Sequence, residues 1–196
     1  MNQVYRNNPG YGPLTELCYV SRDIEQTILG WVNLVGAGPF FIHEVTLDYE
    51  CQGEKSEVPV VTALGASGSM IIEIIQPKAG TPSIFGDALN GKGDCLQALK
   101  YNVRDFSTET EKLKTTGHEL AATIHHWDGG RSDFFGGIKA APFLVKAAKP
   151  GSSFDGIAEA LVEVHRNWNG KAPIRHLSRL HPLLSFSCAA AGLMGT

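Results

Sequence analysis

Much that would classify this 196-residue chain at sight is missing from it. Its four cysteines, Cys18, Cys51, Cys95 and Cys188, form no C-x-x-C pair, so they indicate neither a zinc knuckle nor a disulfide framework and read as free thiols. Neither sign of charge dominates: 17 Lys and Arg stand against 20 Asp and Glu, a formal net charge of −3, which gives no reason to expect nucleic acid or an anionic membrane as partner. No apolar run reaches the roughly 18 residues needed to cross a bilayer, and the opening MNQVYRNNPGYG has no apolar signal core. There is no G-x-S-x-G elbow, no phosphate-binding glycine loop and no H-E-x-x-H. The expectation is a cytoplasmic protein whose partner is a small molecule.

What is present points to mixed structure. A hydrophobic content of 43% is ordinary for a globular chain, and 22 glycines favour a turn-rich α+β or β architecture over a helical bundle. Two segments answer each other: ELCYVSRDIEQTILGWVNLVGAG from Glu16 and ALKYNVRDFSTETEKLKTTGHEL from Ala98. Each has a short strand, then Arg-Asp and an apolar residue, then a helical stretch, then glycine. Asp23 and Asp105 are placed as N-caps, with Gly36 and Gly117 as the stops. Three strand-like runs follow each helix, giving βαβββ twice.

The run SMIIEIIQP, residues 69–77, reads as a strand buried on both faces apart from Glu73. An unpaired carboxylate there would cost several kcal/mol or take up a proton, so Glu73 needs a partner. Alternation puts Ile71, Glu73 and Ile75 on one face and Ile72, Ile74 and Gln76 on the other.

Together, YVSRDIEQTILGWVNLVGAGPFF, IIEIIQP followed by GTPSIFGDAL, and the second copy opening at VRDF resemble the vicinal oxygen chelate superfamily, which includes glyoxalase I, methylmalonyl-CoA epimerase, bleomycin-resistance proteins and extradiol dioxygenases. The resemblance covers roughly residues 14 to 150. It implies an α+β fold in which two βαβββ modules form a cup-shaped open barrel, here with a C-terminal helix. The implied layout is an N-terminal arm at 1–13, modules at 14–92 and 93–150, a helix at 151–172 that packs outside the sheet or on a second subunit, and a tail at 173–196 without clear period, a candidate for disorder. Family habit implies a homodimer.

Metal-bearing members take one ligand from the first and one from the last strand of each module. Carried over, those positions are Glu16, Glu73, Ala98 and Lys146. Alanine has no donor atom and a protonated lysine repels a cation, so the resemblance implies a dismantled metal site, with Glu16 and Glu73 able to hold a divalent ion only weakly. Alternation on the second module's first strand turns Lys100 toward the cup with them.

The expected catalytic set is therefore Glu73, Glu16, Lys146, Lys100 and His126, with Phe41, His43, His125, Trp127 and Phe135 as candidate substrate-binding residues. Adjacent His125 and His126 guarantee that one of them faces the cup. The leading expectation is a glyoxalase-like enzyme of lyase or isomerase type that moves a proton next to a carbonyl. Two alternatives stand beside it: a non-catalytic binder of a carbonyl-containing or aromatic ligand, and a metal enzyme in which His125 or His126 joins Glu16 and Glu73. Ion pairing with a purely structural role would leave the same pattern in the sequence.

Overall fold

Asp23 and Asp105 cap helices as the sequence predicts: each sits in extended backbone and accepts a backbone N–H three residues on, from Gln26 and Thr108. The computed structural model of the protein describes residues 11–126, 128–136, 143–149 and 153–177. The first half runs β1 (Tyr11–Val20), α1 (Ile24–Val35), β2 (Phe40–Cys51), β3 (Glu54–Ser67) and β4 (Met70–Pro77). After α2 (Ile84–Lys92) the same order recurs as β5 (Cys95–Val103), α3 (Phe106–Thr115), β6 (Glu119–His125), β7 (Arg131–Gly136) and β8 (Leu144–Ala148). Then come α4 (Ser153–Arg166) and β9 (Ile174–His176). No helix among the described residues is long and apolar enough to cross a membrane.

The sheet is closed, which corrects the expected open barrel. Its strands follow the order β3-β4-β1-β5-β8-β7-β6-β2, and β2 pairs back onto β3. The 12-residue β2 makes closure feasible, because it pairs with β3 from Phe41 to Cys51 and also with β6 through Asp48–Glu50. Where β6 has left it, β2 accepts β9 in parallel at Phe40–Ile42, so Ile174–His176 of the expected tail is a strand. Residues 178–196 lie outside the described residues.

Alternation then sorts every strand into an outer and an inner face. Outside, Ile24 and Ile28 of α1 pack on Phe40, Ala63, Ile72 and Ile74, while Leu113 and Phe106 at α3 pack on Val103, Phe135 and Ala147. Inside, the barrel has two apolar ends. Phe85 and Leu89 of α2 fill one, with Val20, Tyr49, Val58, Ile75 and Phe134. Ile157 and Leu161 of α4 fill the other, with Phe41, Leu64, Ala66 and Ile71.

The placement of α4 corrects the expectation that it lies outside the sheet. α1 already covers the outer face of the first half, whereas Phe41, Leu64 and Ile71 on the inner face remain to be buried. Burying a Leu or Ile side chain is worth about 1.5–3 kcal/mol, and the amphipathic helix takes that position. Between the two plugs lies a layer that neither helix fills.

Candidate functional site

The unfilled layer is where the charges meet. β4, β1, β5 and β8 are consecutive neighbours in the barrel, and their registers set Cys18 opposite Glu73 and Ala98, Glu16 opposite Lys100, and Lys100 opposite Lys146. Lys146 Nζ donates to Glu16 Oε1 at 2.8 Å and to Glu73 Oε2 at 2.9 Å. Lys100 Nζ donates to the other Glu16 oxygen at 3.3 Å. Cys18 Sγ bridges the carboxylates, 3.1 Å from Glu16 Oε1 and 3.2 Å from Glu73 Oε2. Glu73 thus has the partner that its setting among isoleucines demanded.

The two carboxylates differ in character. Burial opposes ionisation of Glu16, but Lys100 and Lys146 flank it and hold its carboxyl well below the usual carboxylate range. Glu73 shares only one lysine and faces the negative Glu16; burial therefore prevails and its pKa is raised. Burial also opposes charge on Lys146, yet the carboxylates of Glu16 and Glu73 around it keep the ammonium form well past neutral pH. The Cys18 thiol is pushed up by burial and stays protonated, a donor and not a nucleophile.

Glu73, Lys100 and Lys146 line a cavity of about 140 Å³, together with His43, Thr62, His126, Ser132, Phe134 and Ile157. That volume lies below the about 300–1,000 Å³ of drug-sized sites, so the cavity has room only for a compact molecule. His126 accepts from or donates to Ser132 Oγ at 2.9 Å, and burial followed by the Lys146 charge brings its pKa down to about 4, so it is neutral at neutral pH. A larger hollow of about 760 Å³ lies outside, against α1, β2 and β3, but its charged residues Glu25, Glu44 and Lys78 are solvent-exposed. A group that water already solvates has no strongly altered chemistry, and the inner cavity is the better site.

Of the expected catalytic residues, Glu73, Lys146, Lys100 and His126 line the cavity, and Glu16 lies beneath them with 1% exposure. Of the expected substrate-binding residues that are described, only His43 does so. Phe41 faces inward but is covered by α4. His125 points to the other face, where Nε2 lies 3.1 Å from Glu50, and Phe135 packs under α3. Its neighbour Phe134 is the ring in the cavity, and Trp127 lies outside the described residues. Phe40, the neighbour of Phe41 on β2, packs against α1.

Sequence reasoning missed Cys18 and Thr62. Cys18 was legible, since it lies two residues from Glu16 on one strand face. Thr62, in VPVVTALG, carries no signal to distinguish it from strand core.

A divalent metal does not fit this donor set. Glu16, Cys18 and Glu73 bring ligand atoms within 4.8 Å of one another, close enough to share an ion. Lys146 Nζ lies within hydrogen-bond distance of both carboxylates, and the remaining family position is Ala98, fully buried and without a donor atom. The ammonium supplies the positive charge that a metal would otherwise bring.

Comparison with known proteins agrees with this architecture. A family model described as the Glyoxalase/Bleomycin resistance protein/Dioxygenase superfamily matches residues 16–135. No curated protein matches the chain in sequence. Among solved structures, methylmalonyl-CoA epimerase from Mycobacterium tuberculosis is similar with a TM-score of 0.54 and 16% identity, over 78% of this chain and 97% of that one. A hypothetical protein from Bacillus halodurans C-125 is similar at a TM-score of 0.49 and 13% identity, over 71% of this chain and 95% of that one. The first of these likenesses shows a shared fold.

Proposed function

The chain belongs to the glyoxalase/bleomycin resistance protein/dioxygenase superfamily, and from that premise we propose that it is a metal-independent enzyme of isomerase or lyase type that moves a proton at a carbon next to a carbonyl. One observation carries the reading: a carboxylate with raised pKa, Glu73, stands at the wall of a small cavity beside a buried ammonium, Lys146, at 2.9 Å. A base at the α-carbon and a cation at the carbonyl oxygen are the two groups that enolisation requires.

In the proposed step the Glu73 carboxylate takes the α-proton as the C–H bond breaks. The bonding pair moves into the new C=C bond, and the carbonyl π pair moves onto oxygen, where the Lys146 ammonium meets the negative charge. Returning the proton from Glu73 to carbon regenerates the carboxylate. Glu16 does not reach the substrate; ionised between two lysines, it keeps Lys146 charged and aimed. The apolar wall of Leu47, Ile75, Ile124, Phe134 and Ile157 excludes water and strengthens both interactions.

That same wall supports a second reading, a cup that sequesters a small ligand without turnover. The experiment that separates them is proton exchange in D2O, followed by proton NMR, over a panel of small ketones and acyl thioesters. The catalytic reading expects exchange that the Glu73→Gln variant loses while still binding. Binding without exchange by the unaltered protein would leave sequestration.

A further inference from the structure

His43 and Thr62 sit directly opposite each other on β2 and β3, both at the cavity wall. His43 Nδ1 and Thr62 Oγ1 are buried and have no hydrogen-bond partner among the described residues. Each such orphan forgoes the hydrogen bonds that water would give it, and two of them lie side by side in a stretch otherwise made of Val45, Val60 and Leu64. Valine or leucine at either position would serve packing better, so the polar atoms are retained for something that enters the cavity.

The register locates them relative to the charges. Leu64 pairs with Glu73 and Thr62 with Ile75, which makes Thr62 and Glu73 diagonal neighbours on one sheet face, roughly 7 Å apart. We infer that His43 and Thr62 form a recognition subsite for an uncharged hydroxyl or amide on the substrate, a few bonds from the carbon that Glu73 faces. This rests on the proposed reading of the cavity and names the substrate class: a compact carbonyl compound bearing a second, neutral polar group.

The chemistry of the pair selects neutrality. A threonine hydroxyl and one imidazole nitrogen offer a donor and an acceptor but no full charge. Burial lowers the His43 pKa and keeps the ring neutral, so a carboxylate or phosphate placed against this pair would find no counter-charge on either residue. A hydroxyl, which donates and accepts at once, satisfies both orphans.

The test uses the full chain and two near-isosteric ketones, 4-hydroxybutan-2-one and pentan-2-one, which differ in a hydroxyl against a methyl. The expected result is affinity for the hydroxyketone on the order of tenfold higher, the equivalent of one net hydrogen bond. The His43 Nδ1 nitrogen resonance should move with the hydroxyketone and stay still with pentan-2-one. Thr62→Val should remove the preference. Equal affinity, binding of neither ketone, or an unmoved His43 resonance overturns the subsite, and equal affinity is what a pair bridged by water would give. The two proposals fail separately. Preference for the hydroxyketone without loss of α-protons in D2O would uphold the subsite and sink the catalytic reading, whereas equal binding with exchange of both ketones would do the reverse.

Discussion

The Lys146 ammonium and the Glu73 carboxylate meet at 2.9 Å, the lysine side chain 6% and the glutamate side chain 13% exposed. Both border the cavity, and Lys146 is also held from below by Glu16 at 2.8 Å. Replacing Glu73 by Gln keeps the shape and a neutral acceptor for Lys146. The expected outcome is loss of proton exchange by about 10²–10⁴-fold with ligand affinity changed little, measured by NMR exchange and by titration.

The pH dependence follows from opposite shifts. Glu73 is raised above its ordinary 4.5, so the unfolded chain releases that proton first and the native state holds it longer. Its contribution is present below pH 4.5 and is lost as pH rises through the folded value. Glu16 runs the other way: its contribution is present above 4.5 and is lost as pH falls below it. Unfolding free energies measured across pH should therefore shift in favour of Glu73→Gln, relative to the unaltered protein, as pH rises above 4.5. Exchange should show an acid limb with a midpoint above that value, because the base form accumulates there.

Removing the ammonium should uncover a metal site. In Lys146→Ala, Glu16, Cys18 and Glu73 keep ligand atoms within 4.8 Å of one another without the competing cation. Breaking the buried pair costs about 3–5 kcal/mol, part of which zinc or cobalt should restore as a rise in melting temperature. A thiolate-to-cobalt absorption band is expected in this variant, and neither in the unaltered protein nor after adding Cys18→Ala.

Thr62→Val should stabilise the empty protein. It removes a buried hydroxyl with no partner among the described residues and keeps the volume, for a gain of about 1 kcal/mol in chemical denaturation. A loss of similar size would mean that the hydroxyl is satisfied in solution.

Leu161→Ala tests the inward position of α4. Leu161 is 2% exposed among Phe41, Leu64 and Ile71, and its truncation should cost about 2–5 kcal/mol. A helix resting on the outside of the barrel would lose far less.

Much of this architecture was legible in the chain, because local rules set it. The two Arg-Asp capping signals announced the duplicated strand–helix order, and alternation along SMIIEIIQP put Glu73 and Ile75 on one face and Ile72 and Ile74 on the other, where α1 covers them. Lys100 and Lys146 could be placed on the inner face by the same counting together with the family resemblance. Local rules lapse at adjacent pairs of like residues. His125 and His126, or Phe134 and Phe135, exchange faces with a one-residue slip, and β6 carries an irregularity between Leu120 and Ala122 that no periodicity reveals.

The rest belongs to tertiary structure, for a reason of distance along the chain. Glu16 and Lys146 are 130 residues apart in sequence, and their contact depends on the strand order β4-β1-β5-β8 and on registers set by the whole barrel. Closure through β2, the inward turn of α4 and the small polar layer left between two apolar plugs are likewise outcomes of what remained to be buried once the other elements had docked. The sequence by itself determined which residues carry charge and which strand face each occupies. Only the folded barrel decided which charges meet and which of them a ligand can reach.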